Sequence, residues 1–537
     1  MPGGAPARRR WEPAAIVALL ALALALRTFE LGDRAFHHDE SQDAYFSFTH
    51  RFEYDPLLHG PLRFYLTAAI YGLLGASDFT ARLAPALLGT AMVGLVFLAR
   101  EQIGRLAAWV AAILLAAGPS FLYFSRFARE DIYIACVTLA LLVVVLRFLD
   151  APRPWHPAAL GALLAASFAI KESTYITVFV GGTFFLLALA VQAVRQGWRE
   201  APLVRTVARL GWEPWAWGGA ALAIVYTLLF TVFFTYPDGL WKGVNRGLEY
   251  WTAQQDVARG GEPVGFYAFL LFGMELPVVL LGMAGVVAIA RKPSTGRWLL
   301  VWMFAGSLAA YSWASEKFAW LVIHPLLPLI LLAGIGAQAL WAARGRWFGR
   351  AGLALAAVGA AFVAWSSLAV NALHPADPRE LLVSTQTSEE VTGLRDEILG
   401  LERRAGRKLT ITVDQAEGAA FPWAWYLRDT GAGFYDSSSG RFPLDADVLI
   451  LTDAARERFG PQLTGYRGRR FHLRVWWVKD FGEAWSPAAW AKYWVTRKPW
   501  NPTGGLTEWI YTRQTIVSAS STTRVPSRSS LASPSSP

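Results

Sequence analysis

The sequence predicts an all-α polytopic membrane domain of about eleven transmembrane helices with an outer juxtamembrane helix, followed by a mixed α/β extracytoplasmic domain. Three observations predict it. Hydrophobic residues make up 54% and charged residues 17% of 537 positions, too apolar a balance for a soluble chain of this length. The apolar residues gather in runs of bilayer-crossing length. After Asn371 that texture gives way to charge, turn residues and period-two alternation.

The bulk composition supports the same class. Its 25 Trp and 17 Tyr suit the level of the lipid headgroups. A formal charge of +10 might be read as nucleic-acid binding, but the Lys and Arg come in short clusters between apolar runs and so point to membrane orientation. The lone cysteine, Cys136, sits inside an apolar run and excludes an intramolecular disulfide or a Cys-rich metal site.

The first apolar stretch, Ala14 to Leu26, follows Arg8, Arg9 and Arg10 as in a signal peptide. Arg27, Thr28, Phe29 and Glu30 come next and make no small-residue cleavage site, so residues 12–29 read as a retained anchor. Further spans fall at 80–99, 106–124, 132–149, 215–236, 266–290, 298–313, 320–341 and 351–370. The run 157–194 is long enough for two helices, and Lys171 and Glu172 break it at a tight outer turn.

Basic residues fall on alternate loops: Arg8 to Arg10, Arg100 and Arg105, Arg147 and Arg153, the cluster from Arg195 to Arg209, Arg291 to Arg297, and Arg344 to Arg350. The positive-inside rule makes these cytoplasmic, which puts the N-terminus inside and Asp39, Glu40, Asp43, Glu130, Asp131, Glu172 and Glu316 outside the cytoplasmic membrane. "GPLRFYLTAAIYGLLG" (60–75) has to lie along the outer surface for this alternation to hold.

In the C-terminal part, "LTITVD" (409–414), "DVLILTD" (447–453) and "FHLRVWWVKDF" (471–481) alternate like strands, and 388–404 reads as a helix. The domains expected are thus 1–370 in the membrane, 371–513 outside it, and a Ser/Pro-rich tail, 514–537, that cannot build a core. No inverted repeat of the transporter kind is evident.

Ionised carboxylates beside hydrocarbon need a partner or a task. Two acidic clusters share the outer face, "HHDE" (37–40) and "SRFARED" (125–131). A carboxylate there can be a general base toward a hydroxyl or hold a divalent cation. Arg126, Arg129 and Lys171 suit a phosphate, Arg by its fork and Lys as a point charge. His37 and His38 beside Asp39 and Glu40 raise a zinc patch as an alternative to plain loop histidines. His59 and His324 also face outward and join the candidate pocket with Glu172. Glu316, Lys317 and Trp320 form a third polar break, open to a lipid headgroup or to loop structure.

In sequence order, "HHDESQDAY", "HGPLRFYL" (59–66), "ARLAPALLGT" (81–90), "SRFARED", "AIKES" and "HPLLP" (324–328) resemble the motifs of the GT-C polytopic glycosyltransferases, in the branch of protein O-mannosyltransferases and the lipid A aminoarabinose transferase. "YDPLLHGPL" and "TQTSEEV" (385–391) are similar to the subgroup labelled flippase-activity-associated. The resemblance implies an inverting transferase that uses a polyprenyl-phosphate-linked sugar. Asp39 of the Asp39–Glu40 pair would be the base, Arg129 and Asp131 the second motif, and Lys171 would lie near the donor phosphate, with Arg126 and Lys317 as further phosphate contacts. Two departures, Glu130 beside Asp131 and histidines crowding Asp39, leave open a divalent metal (Mg, Mn or Zn) at Glu130, Asp131 and His38. Expected partners are the lipid-linked sugar, membrane lipid, an acceptor protein, lipid or glycan, and a flippase, with no nucleic acid. A lipid-linked sugar flippase and a non-catalytic flippase scaffold are the rival readings; the first needs polar residues through the bilayer, whereas these acids collect on one face.

Overall fold

The computed structural model describes residues 11–253, 261–439, 442–483 and 486–516. The basic triplet Arg8 to Arg10 and the tail from 517 onward lie outside the described residues. Two compact units divide the chain, the first holding residues 1–34, 43–384 and 477–503, the second 35–42, 385–476 and 504–537.

Helix α1 (Glu12–Thr28) starts with Pro13 in its first turn, where the missing N–H costs nothing. It is followed by α2 (His38–Phe48), α3 (Leu62–Leu74) and α4 (Asp78–Leu98), the last opened by a capping box between Ser77 and Thr80. A one-turn α5 (Arg100–Ile103) leads into α6 (Arg105–Ala117) and α7 (Pro119–Phe124), one expected span broken at Gly118–Pro119. Then come α8 (Glu130–Asp150), α9 (Trp155–Phe168), α10 (Thr174–Gln196), α11 (Pro202–Ala208), α12 (Glu213–Phe230) and α13 (Gly239–Ala253). Helices α14 (Phe266–Arg291), α15 (Thr295–Trp313), α16 (Ile323–Ala342) and α17 (Trp347–Leu368) complete the bundle.

Each expected span coincides with one or two of these helices. Among the described residues, six are long and apolar enough to cross a membrane: Asp78–Leu98, Glu130–Asp150, Thr174–Gln196, Phe266–Arg291, Ala319–Ala342 and Trp347–Leu373. Helix α3, at about 20 Å, is too short for a hydrocarbon core of about 30 Å. Helices α14 and α16 pack backbone to backbone because small residues face each other: a Cβ on Gly285 would sit 2.1 Å from the Leu332 carbonyl oxygen, one on Gly336 1.9 Å from that of Leu281.

Residues 477–503 carry the helix Pro487–Thr496 and belong to this first unit. Trp490 and Trp494 pack on Phe272 of α14, and Trp494 donates to the Gly273 carbonyl at 3.2 Å.

The second unit is a six-stranded sheet in the order β1-β5-β6-β4-β2-β3. Its strands are β1 (Gln386–Thr387), β2 (Thr410–Asp414), β3 (Gly431–Tyr435), β4 (Val448–Thr452), β5 (Tyr466–Trp476) and β6 (Gly504–Arg513). Strand β2 runs parallel to β3 and β4; the other pairs are antiparallel. Helix α18 (Glu389–Ala405) begins at a Ser388 cap and ends at left-handed Gly406. Short helices α19 (Trp423–Tyr426) and α20 (Asp453–Phe459) follow within this unit, and α21 spans Pro487–Thr496 in the excursion described above. Strand β5 stops at Trp476, short of the 481 its alternation predicted, because Trp477 turns into the aromatic cluster of the first unit.

Candidate functional site

The site is assembled at one end of the bundle from four chain segments. Residues 59–62 cross the end of α9, where Gly60 N–H donates to the Ile170 carbonyl at 3.1 Å and Leu62 N–H to that of Ala169 at 2.9 Å. Only glycine fits at 60, since a Cβ there would lie 2.1 Å from the Ala169 oxygen. That close crossing explains the His-Gly-Pro spelling of the motif. It delivers His59 to the α9–α10 turn that carries Lys171 and Glu172.

The turn meets the first residues of α8. Lys171 Nζ lies 2.8 Å from both Glu130 Oε1 and Asp131 Oδ1. Arg129 donates to Glu130 at 2.8 Å and to Asp131 at 3.2 Å, and its guanidinium stacks 4.0 Å over the Trp320 ring. His59 bridges the two sides, with Nδ1 2.6 Å from Glu172 Oε2 and Nε2 3.5 Å from Glu130 Oε1. Tyr54 donates to Glu172 at 2.7 Å. His324, at the start of α16, stacks on Tyr311 and holds Nε2 3.6 Å from Asp131 Oδ1. All these acids are buried, so each must be matched by a cation or donor.

Electrostatics follow from that matching. Burial weighs against a charged Lys171, but Asp131 and Glu130 outweigh it and raise its pKa above the usual lysine range. Burial alone would raise the pKa of Glu172; His59 and the Tyr54 hydroxyl reverse this and lower it.

Sequence reasoning named Glu130, Asp131, Arg129, Lys171, His59, Glu172 and His324, and the structure brings these together. Lys317 donates to the Ala314 carbonyl at 2.6 Å, beside the cluster's pocket. Arg126 does not join them: its guanidinium caps the end of α1 through the carbonyls of Leu26 at 3.1 Å and Phe29 at 2.8 Å. His37, His38, Asp39 and Glu40 fall in the second unit. There Glu40 accepts from His37 N–H at 3.0 Å, and His37 Nδ1 accepts from Asp39 N–H at 3.1 Å.

Two cluster members, Tyr54 and Arg63, were missed by sequence reasoning. Arg63 is buried, donates to Asp43 at 2.8 Å and approaches Glu130 at 3.6 Å, while its Nε and Nη1 have no hydrogen-bond partner. The signal was present in "HGPLRF", where an arginine interrupts an apolar helix. Nη1 is the atom that faces Glu130, so Nε is the donor left without an acceptor, at a cost of about 1–3 kcal/mol.

Glu130 and Asp131 do not fit a divalent cation as they stand, because Lys171 and Arg129 already occupy their oxygens. Among the described residues no group of three or more His, Cys, Asp or Glu converges on a metal position.

A pocket of about 80 Å³ opens beside the cluster, lined by His59, Lys171, Glu172, Tyr250, Tyr311 and Glu316 together with apolar side chains. It shares Ile176 and Ala314 with an apolar groove of about 710 Å³ between α10 and α15, walled by Phe179, Val180, Trp302, Ala309 and Trp313.

Residues 58–228 match the family described as dolichyl-phosphate-mannose-protein mannosyltransferase. In structure the chain is similar to ArnT from Cupriavidus metallidurans bound to undecaprenyl phosphate, with 16% identity and a TM-score of 0.61 over 94% of this chain and 99% of that one. It is also similar to the archaeal oligosaccharyltransferase AglB from Archaeoglobus fulgidus in complex with an inhibitory peptide and a dolichol-phosphate, with 14% identity and a TM-score of 0.51 over 79% of this chain and 64% of that one. No curated protein matches the sequence.

Proposed function

Since this multi-pass membrane chain carries the fold of the GT-C glycosyltransferases, we propose that it transfers a sugar from a polyprenyl-phosphate donor to a hydroxyl of a protein, lipid or glycan acceptor. The reaction takes place at the outer face of the cytoplasmic membrane. One observation carries this reading: the pocket at Lys171 and the apolar groove between α10 and α15 are adjacent, with Ile176 and Ala314 lining both. A ligand filling both has an anionic head and a long apolar tail, which is the profile of a polyprenyl phosphate.

In this mechanism Asp39 accepts the acceptor hydroxyl's proton as its oxygen attacks the anomeric carbon. The bond from that carbon to the phosphate oxygen breaks, the polyprenyl phosphate leaves with the electron pair, and a single displacement inverts the anomeric centre. Lys171, Arg129 and Arg63 meet the charge that develops on the leaving phosphate, with Lys317 close by at the Ala314 carbonyl. Glu130 and Asp131 hold the cations in place before the donor arrives. A monoester phosphate whose second pKa is near 6 leaves readily at neutral pH, so no nucleotide is needed. The outer sheet unit, with the boundary expected near 370, would orient the acceptor.

The test uses the full chain in lipid nanodiscs with a panel of undecaprenyl-phosphate hexoses and pentoses, and measures released undecaprenyl phosphate. Asp39→Asn is expected to lower release by about 100-fold or more while undecaprenyl phosphate still binds. Release unchanged in Asp39→Asn, or donor crossing the bilayer without cleavage, overturns the reading in favour of a flippase.

A further inference from the structure

Residues 35–42 are held within the second unit by contacts that explain the "TQT" spelling at 385–387. Gln386 Nε2 donates to the Ala35 carbonyl at 2.8 Å, and Thr385 Oγ1 lies 3.1 Å from His37 Nε2. Phe36 N–H donates to the Tyr426 hydroxyl at 2.7 Å, and the Phe36 ring packs 5.6 Å from that of Trp425. These hold the backbone of the segment and the side chains of Phe36 and His37. A further contact reaches His38, next to Asp39.

That contact comes from Arg474, at the irregularity in β5 between His472 and Arg474. The break in register turns the guanidinium toward the 416–421 loop, where Nη2 donates to the Gly418 carbonyl at 2.7 Å and lies 2.7 Å from His38 Nδ1. A guanidinium has donors only, so His38 Nδ1 must be the acceptor and its proton sits on Nε2. The Gln42 amide nitrogen is placed 3.2 Å from that Nε2, and two donors cannot face each other, so the Gln42 amide is turned over to present its carbonyl oxygen. Phe421 stands edge-on to the His38 ring at 5.8 Å and closes the remaining side.

Burial lowers the pKa of the Arg474 guanidinium, and the acidic groups that act in the other direction are Glu508 of β6 and Asp39. Glu508 is buried, takes one hydrogen bond from Trp423 at 3.2 Å, and its Oε1 has no hydrogen-bond partner; Arg474 Nε is likewise buried without one. At neutral pH Glu508 keeps its proton, because burial raises its pKa to about 8, so the ionised carboxylate that favours the guanidinium is that of Asp39, whose side chain is 32% exposed.

We propose that Arg474 is a positioning residue for Asp39: from the sheet it locks His38 in one tautomer and sets the first turn of α2, from which the Asp39 carboxylate acts. The inference rests on the reading of Asp39 as the base. It gives the sheet unit a task in the chemistry besides acceptor binding. Arg474 touches no reacting atom, so its removal acts on turnover through geometry.

The experiment uses the full chain in nanodiscs at a fixed neutral pH. Histidine ¹⁵N spectra, with the His38 signals identified by their loss in His38→Gln, report the tautomer directly. Wild type is expected to show His38 with Nδ1 unprotonated. Arg474→Met is expected to mix the two tautomers and to lower kcat for undecaprenyl phosphate release by about 100-fold, with KM for the donor lipid changed less than about threefold. Arg474→Lys keeps a donor at Nδ1 and is expected to restore the single tautomer and most of kcat. Size-exclusion elution and near-ultraviolet circular dichroism establish that both variants are folded; if Arg474→Met does not fold, the Arg474→Lys and wild-type comparison of tautomer and kcat decides. An unchanged His38 tautomer in Arg474→Met, or a lysine variant as slow as the methionine variant, overturns the proposal. Absence of donor cleavage in wild type overturns the transferase reading instead and leaves the tautomer result standing.

Discussion

Lys171 Nζ and Asp131 Oδ1 meet at 2.8 Å although 40 residues separate them. The pair ties the start of α8 to the α9–α10 turn, and Glu130 shares the same ammonium at 2.8 Å. Removing one partner of a buried ion pair leaves the other uncompensated and costs about 3–5 kcal/mol. Lys171→Met is therefore expected to lower the thermal unfolding midpoint in detergent and to abolish undecaprenyl phosphate binding. Adding Asp131→Asn should recover part of the stability and none of the binding, which a double-mutant cycle would read.

The acid limb of stability belongs partly to Glu172. Its folded pKa is depressed below the ordinary glutamate value of 4.5, so its stabilisation is present above that value and is lost as pH falls through the depressed one. Tyr54→Phe deletes one of the hydrogen bonds that depress it. The acid unfolding midpoint of the variant is expected at a higher pH than that of wild type, followed by tryptophan fluorescence. An unmoved midpoint would mean that Glu172 does not couple to folding.

Glu508 has the opposite sign. Burial raises its pKa to about 8, so the native sheet keeps a proton that the unfolded chain releases above its ordinary value. Stability of the second unit should therefore fall as pH rises from about 5 toward 8. Glu508→Gln is expected to flatten that decline, measured by hydrogen exchange of β6 amides in the full chain.

What was legible in the sequence had a cost attached to it. Lys171 and Glu172 break an apolar run, Glu130 and Asp131 open one, and such charges persist beside hydrocarbon only with partners. Their gathering with His59 and His324 could be anticipated for that reason. Arg63 was less visible, because an arginine on a short surface helix ordinarily extends its head to water; only the fold shows that it is buried against Asp43. Arg126 carried a phosphate-binding look, yet α1 ends on carbonyls that need a donor, and it caps them. Strand β5 was found by its alternation, whereas its end at Trp476 was not, since the Trp477 to Trp500 contact at 4.5 Å comes from tertiary packing.

Gly60 offers a test of the crossing that carries His59. A methyl at this position would stand 2.1 Å from the Ala169 oxygen and 2.2 Å from its carbonyl carbon, so one backbone must move. Overpacking of this kind costs about 1–3 kcal/mol. Gly60→Ala is expected to loosen the His59–Glu172 contact and cut donor turnover by about tenfold or more, with undecaprenyl phosphate affinity affected less. Wild-type kinetics in this variant would show that the crossing does not set the position of His59.

The groove between α10 and α15 makes the last prediction, because its role depends on tail length. Ala309 and Ala310 on α15 line it, opposite Phe179 and Val180 of α10. A bulky side chain at Ala309 would fill apolar space without touching Lys171 or Arg129. Each buried methylene of a tail contributes about 0.8 kcal/mol, though a tail in lipid already has apolar surroundings, so the groove acts through shape. Ala309→Trp is accordingly expected to weaken the full-length undecaprenyl donor by about tenfold in KM while leaving kcat and the KM of a short, two-isoprene donor near wild type. Equal weakening of both donors would place the tail outside this groove, despite the two lining residues it shares with the pocket.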